Sequence, residues 1–202
     1  MAVNEKVKVI GLTGMSGAGK STACKLFKSE GFDVIDCDLI CRKIVEKGKP
    51  CLCEIAKVFG TAVLNEDGSL NRTETGRIIF SDEGKRRQLN GIMYPYVSYI
   101  VISTIFKMDK GFMLLDAPTL FESGIDSICD SIVSIVADKE ILLSRIESRD
   151  FISREQAADR LASQHDTVFF SERSDHIVEN NGSSEEFFRE IMKTIKLIKE
   201  GK

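Results

Sequence analysis

The sequence predicts an α/β fold: a parallel five-stranded sheet with a helical insertion and a second, smaller helical segment. Three observations predict it. Short apolar runs recur at intervals, each ending in a turn or an acid, as strands buried on both faces do. The first run, VKVIGLTGMSGAGKST from Val7 to Thr22, passes through glycines straight into a helix-like stretch. Between the second and third runs, 39–111 is far longer than the dozen residues a simple crossover needs, and it reads as mostly helical.

In order, Val7, Val9, Ile10 and Leu12 form the first strand, and Ala23 to Glu30 the first helix, with Ala23, Cys24 and Phe27 toward the sheet. Gly31 is its C-terminal cap. Phe32 to Asp36 reads as the second buried strand, ending in Asp36-Cys37-Asp38. Helical stretches follow at Leu39–Glu46, Leu52–Phe59, Thr73–Phe80, Glu83–Met93 and Tyr96–Met108, with a turn at Asn65–Gly68. Phe112–Asp116 is the third strand and Ser131–Ala137 the fourth. A charged helical region spans Lys139 to Asp166, where Ser153-Arg154-Glu155-Gln156 is a capping box that starts a new helix. Asp175–Glu179 is the fifth strand. The last helix, capped by Ser183 to Glu186, carries an apolar stripe of Phe187, Ile191, Ile195 and Ile198, and Phe188 and Met192 beside it read as core.

Composition limits the function classes. With 202 residues, 43% hydrophobic and 29% charged, the chain suits one α/β core with an inserted subdomain. A net charge of −3 makes no electrostatic case for a nucleic-acid partner. No apolar run approaches the roughly 20 residues that cross a bilayer, and Met1 to Lys6 is polar rather than leader-like. The expectation is a cytoplasmic protein with no membrane partner, its oligomeric state open. The cysteines Cys24, Cys37, Cys41, Cys51, Cys53 and Cys129 lack zinc-site spacing and read as reduced thiols.

Gly14-Met15-Ser16-Gly17-Ala18-Gly19-Lys20-Ser21 fits the phosphate-binding pattern G-x-x-x-x-G-K-S/T at every fixed position. Glycines let main-chain amides turn inward around a phosphate, and the following helix adds its positive end. Lys20 then reaches the β- and γ-phosphates, Ser21 is placed to ligate magnesium, and Thr22 completes the turn. A bare strand-to-helix turn is the bland alternative, and the strand before and helix after argue against it.

Phosphoryl transfer also needs a base and positive charge over the moving group. If strand alternation continues past Asp36, Asp36 and Asp38 point into the same crevice, one as base for an acceptor hydroxyl and the other on magnesium water. The competing reading makes Asp38 the cap of the next helix. Asp116 ends the third strand as a magnesium carboxylate or as a loop cap. Arg145 and Arg149, at i and i+4, are a solvated stripe or a phosphate clamp in a closing segment.

With those residues in view, the chain resembles the dephospho-coenzyme A kinases nearly end to end. The resemblance runs through IGLTGMSGAGKST, VIDCD with Arg42, Phe59-Gly60, DGSLNR to Arg72, FSDEGKRRQLN, APTLFESG, RIESRD, Gln164 and SDHIVENNGS. It implies a P-loop kinase core with a parallel five-stranded sheet, a helical coenzyme-binding domain and a helical lid. The boundaries read as 1–38, 109–138 and 168–202 for the core, 39–108 for the helical acceptor domain and 139–167 for the lid. It further implies ATP and magnesium, and a transfer to the ribose 3′-hydroxyl of dephospho-coenzyme A. By resemblance Asp38 is the base; Asp36, Arg42, Arg72, Tyr94 and Pro118 lie near the acceptor; Arg145 and Arg149 act in the lid; Asn180 lies near the adenine. The chain departs from the family at Met15, where a glycine is usual, at Tyr94-Pro95 for HP, and at Pro118-Thr119-Leu120 for PLL. The family does not reliably keep an acid at the position of Asp116. Another small-molecule P-loop kinase, nucleoside monophosphate kinase-like, and a nucleotide-binding module without transfer are the alternatives. A GTPase is disfavoured, because N-K-x-D is missing.

Overall fold

The computed structural model describes residues 7–80 and 82–201. Met1 to Lys6, on which the reading of the amino terminus rests, lie outside the described residues, as does Ser81 of the FSDEGKRRQLN run. The chain divides into two compact units, Met1–Ile35 with Asp109–Lys202, and Asp36–Met108.

The first unit is built on a five-stranded sheet in the order β2-β3-β1-β4-β5. Its strands are β1 (Val7–Gly14), β2 (Asp33–Asp36), β3 (Gly111–Asp116), β4 (Ser131–Val136) and β5 (His176–Glu179). β1 pairs parallel with β3 from Val7↔Gly111 to Leu12↔Asp116, and with β4 from Ile10↔Ser131 to Gly14↔Ile135. That register brings Asp116 to the carboxyl edge of the sheet, next to where β1 runs out into the glycine loop. β1, β3 and β4 are mostly apolar and mostly buried, as strands covered on both faces are, with Lys8 of β1 the exposed exception. β2 corrects the expectation of a fully buried second strand: as an edge strand it buries only Ile35, and Asp33 is exposed.

The first unit's helices are α1 (Lys20–Ser29), α6 (Lys139–Asp150), α7 (Arg154–Ala162), α8 (Thr167–Arg173) and α9 (Ser184–Lys199). One core joins Ile10, Leu12, Phe27, Ile135, Leu142 and Ile191 from strands and helices alike. α1 closes as foreseen near Gly31: Gly31 N–H bonds the Lys28 carbonyl, Phe32 N–H bonds the Phe27 carbonyl, and the two rings meet edge to face at 5.0 Å. Capping boxes are present at Ser153/Gln156 and at Ser183/Glu186. The stripe Phe187, Ile191, Ile195 and Ile198 is buried, whereas Phe188 is 48% exposed and does not belong to the core. α8, capped by Asp166, is an element the sequence pattern did not announce.

The second unit holds α2 (Cys37–Ile44), α3 (Pro50–Phe59), α4 (Arg72–Phe80) and α5 (Glu83–Ile105). α5 packs on α2, α3 and α4. It also corrects the expected break before Pro95, because the helix runs through it. An internal proline costs about 3 kcal/mol. Leu89, Val97, Val101 and Ile105 are all buried, and at roughly 1.5–3 kcal/mol for each such side chain their packing outweighs the lost hydrogen bond. Among the described residues no helix is long and apolar enough to cross a membrane. None of the six cysteines forms a disulfide.

Candidate active site

The first unit brings the phosphate-loop residues together with the arginines of α6. Met15 N–H bonds the Ile135 carbonyl at 3.0 Å, so the loop starts stitched to β4. Gly14, at φ 136°, lies so close to that strand that a Cβ would stand 2.1 Å from the Ile135 carbonyl oxygen. Gly19, at φ 108°, forms the N-cap of α1, and a Cβ there would stand 2.6 Å from Asn180 Nδ2. A side chain at Gly14 would have to push the β4 backbone away, and at Gly19 the positive φ itself disfavours any residue with a Cβ. The loop therefore hands its chain into α1 at Lys20, with Ser21 and Thr22 exposed in the first turn, where the Thr22 N–H turns back to the Gly19 carbonyl at 3.0 Å and the positive end of the helix favours an anion.

Lys20 Nζ lies 2.6 Å from Asp116 Oδ1, both side chains largely buried. Asp116 thus holds the ammonium over the loop, a third possibility beside magnesium carboxylate and loop cap. Across the loop, Asn180 Nδ2 donates to the Ala18 carbonyl at 2.7 Å, and its Oδ1 accepts Arg145 Nη2 at 3.4 Å. Arg145 Nη1 is buried and makes no hydrogen bond among the described residues, so it is a donor suited to a phosphate oxygen. Arg149 Nη2 donates to Ser16 Oγ at 3.4 Å, while its Nε and other contacts go to Asp150. The neighbouring Asp150 carboxylate keeps the Arg149 guanidinium firmly protonated. Pro118 accepts from the buried Thr13 hydroxyl through its carbonyl, at 3.3 Å, which fixes the loop after β3. A cleft of about 500 Å³ opens beside Met15, Asp138, Leu161, Gln164, Thr167 and Asn181.

β2 ends at Asp36, and Asp38 does not continue it. α2 begins at Cys37, Asp36 is its N-cap and accepts the Leu39 N–H at 2.8 Å, and Asp38 sits exposed in the first turn. The cap is therefore Asp36, not Asp38. A carboxylate at that place is favoured by the helix's positive end. Further along α2, Cys41 is half-buried, and burial first, then the charges of Asp38 and Asp36, push its thiol up. It stays protonated at neutral pH. Arg42 lies in the last turn of α2, Arg72 opens α4, and Tyr94 precedes Pro95 on α5.

Two contributors went unassigned in the sequence. Gln164 accepts the Ser16 N–H, and Asp150 joins Arg149 to Arg160. Both stood inside recognisable runs, but their partners lie too far away in the chain for spacing to reveal them.

Comparison with known proteins gives a consistent result. Residues 8–186 match the family model described as CoaE, dephospho-CoA kinase. A dephospho-CoA kinase of Fusobacterium nucleatum is 37% identical over 185 residues, covering 92% of this chain and 95% of that protein. One from Listeria innocua is 36% identical over 188 residues, covering 92% of this chain and 94% of that protein. Among solved structures, a dephospho-CoA kinase from Campylobacter jejuni superposes with a TM-score of 0.70 at 28% identity, over 96% of this chain and 98% of that one.

Proposed function

The chain belongs to the dephospho-CoA kinase family, and from that premise we propose how its own residues divide the work. The reaction is transfer of the γ-phosphoryl group of ATP to the ribose 3′-hydroxyl of dephospho-coenzyme A, giving coenzyme A and ADP, the last step of coenzyme A synthesis. Gly14, Ser16, Gly17, Ala18 and Gly19 shape the cradle, and the main-chain amides into Lys20, Ser21 and Thr22 bind the β- and γ-phosphates. Lys20 leaves Asp116 for the phosphates and neutralises charge as it spreads onto the equatorial oxygens. Arg145 and Arg149 meet the same charge from α6. Arginines so placed contribute on the order of 10³–10⁵ in rate.

Asp38 takes the proton of the 3′-hydroxyl as its oxygen attacks. Asp36, Arg42, Arg72, Tyr94 and Pro118 serve the acceptor, with Asp36 acting through its cap on α2. Asn180 braces the loop against Arg145, which gives it a part in nucleotide binding even without touching the base. Ser21 and Asp116 would hold a magnesium ion, which when bound supplies charge neutralisation across the β- and γ-oxygens. The donor set fits: a hydroxyl and one carboxylate leave the remaining ligands to phosphate and water, the arrangement magnesium prefers. In this reading 39–108 is the acceptor domain, 139–167 the lid and the remainder the nucleotide-binding core. We place the enzyme in the cytoplasm, with small molecules as its partners.

The observation that carries this assignment is the glycine loop itself, pressed against Ile135 at Gly14 and against Asn180 at Gly19, which turns the chain from β1 into α1 with Lys20 at its start. An acceptor panel with ATP and magnesium, read by product mass, tests it. One added phosphoryl group on dephospho-coenzyme A alone is the expected result. Transfer to a nucleoside monophosphate, or to no acceptor at all, overturns it.

A further inference from the structure

Gln164 has no task in the scheme above, yet it touches the phosphate loop directly. It follows α7, half-buried, and both ends of its amide are used. Oε1 accepts the Ser16 N–H at 2.9 Å, and Nε2 donates to the Arg160 carbonyl at 3.3 Å. The Ser16 hydroxyl in turn accepts Arg149 Nη2 at 3.4 Å. Arg149 holds Asp150 through two bonds of 2.8 Å, and Asp150 also accepts Arg160 Nη1. The contacts close on themselves, from Ser16 through Gln164, Arg160, Asp150 and Arg149 back to Ser16.

A ring of this kind fixes geometry that no single exposed contact could. The Arg149–Asp150 pair alone, at the surface, is worth little, in the range of about 0–1 kcal/mol. Anchored at both ends to the same loop residue, it sets where the guanidinium stands relative to that loop. The residue type also follows. The Ser16 N–H needs an acceptor, and a neutral amide supplies one without setting a negative charge beside a triphosphate. The second half of the amide then ties that acceptor to Arg160.

We infer that Gln164 is a positioning residue: it anchors the outer limb of the phosphate loop to the end of α7 and, through Arg160 and Asp150, holds Arg149 in register with that loop. The inference rests on Arg149 acting on the transferring phosphoryl group.

The test combines kinetics with amide exchange. Gln164→Met keeps the side chain's length and removes both hydrogen bonds. Misplacing a catalytic group by even about 1 Å can cost up to 10²-fold, so kcat is expected to fall about tenfold, with KM for ATP changing less than about threefold. In an Arg149→Ala background the same substitution should cost less than about twofold, because the group it positions is gone. Multiplying effects, or a Gln164→Met enzyme within about twofold of the parent in kcat, overturn the inference. If Arg149→Ala by itself leaves kcat unchanged, the clamp role of Arg149 fails and this inference with it. If Arg149→Ala is slow and Gln164→Met is not, only the inference fails. Independently of any variant, the Ser16 amide of the unaltered protein should be protected from hydrogen exchange by at least about tenfold without nucleotide. Exchange at the rate of an open loop overturns the inference as well.

Discussion

At the scale of single residues, what distinguishes this site is how few of its groups act alone. Lys20 is held by Asp116, Arg145 by Asn180 and Arg149 by Asp150. Asp38 is exposed on the first turn of α2, with Asp36 supplying the cap. Its proposed part is proton removal, and a positioned base contributes roughly 10²–10⁴ in rate. Asp38→Asn should therefore lower kcat by about that factor while KM for ATP stays within about threefold. A loss of less than threefold in steady-state turnover removes Asp38 from the role. Asp150 offers a pH test. The Arg149 hydrogen bond, and after it the charges of Arg149 and Arg160, hold its carboxyl below the usual carboxylate range. A depressed folded value means stability that is present above the unfolded value, about 3.9, and lost as pH falls through the folded one. Denaturant melts of the parent and Asp150→Asn should thus differ by a constant amount from pH 7 to about pH 4 and converge below it. A gap that closes well above pH 4 counts against the pairing.

At the scale of elements, the turn from α6 into α7 stands out, because Phe151 takes φ 54° there with its ring 94% exposed. A left-handed conformation costs a residue with a Cβ roughly 1–2 kcal/mol, against about 0.5–1 kcal/mol of extra chain entropy lost by a glycine. No packing is forfeited, so Phe151→Gly should stabilise the protein by about 0.5–1 kcal/mol, a rise in Tm of about 1–4 °C. A fall in Tm on calorimetry means the ring makes a contact its exposure conceals. The same comparison of local and distant forces explains what could be read in advance. The strands and both capping boxes were legible because their signals lie within a few residues. α2 begins at Cys37, two residues before the Leu39 that the sequence pattern predicts, because the helix starts earlier than strand alternation allows. α5 passes through Pro95 because its buried face comes from neighbours in space, which no local rule can weigh. α8 is short and lacks an apolar period. In the candidate site, the turn from β1 through the glycines into α1 was legible, because strand, glycines and helix follow one another within a few residues. The pairing of Lys20 with Asp116, 96 residues apart, and of Asn180 with Ala18, 162 apart, was not.

At the scale of the molecule, the two compact units carry different proposed duties. Gly14 to Thr22, Arg145, Arg149 and Asn180 belong to the unit of Met1–Ile35 with Asp109–Lys202, whereas Asp36, Asp38, Arg42, Arg72 and Tyr94 belong to Asp36–Met108. A ligand slows amide exchange where it lowers the population of open forms, and ligand at 100 times its Kd stabilises by about 2.7 kcal/mol, close to a hundredfold in exchange. ADP alone should therefore slow exchange in peptides covering 14–22 and 139–164 and leave α4 and α5 within about twofold of the ligand-free rate. Dephospho-coenzyme A alone should do the reverse, slowing peptides from α2, the start of α4 and the middle of α5. Pro118 is the exception, an acceptor residue in the nucleotide-binding unit, so the loop after β3 should respond to dephospho-coenzyme A even though most of its unit does not. If ADP protects α4 and α5 as strongly as the phosphate loop, the division of labour between the units is wrong. If dephospho-coenzyme A protects only residues of the first unit, the acceptor residues have been placed in the wrong half of the chain.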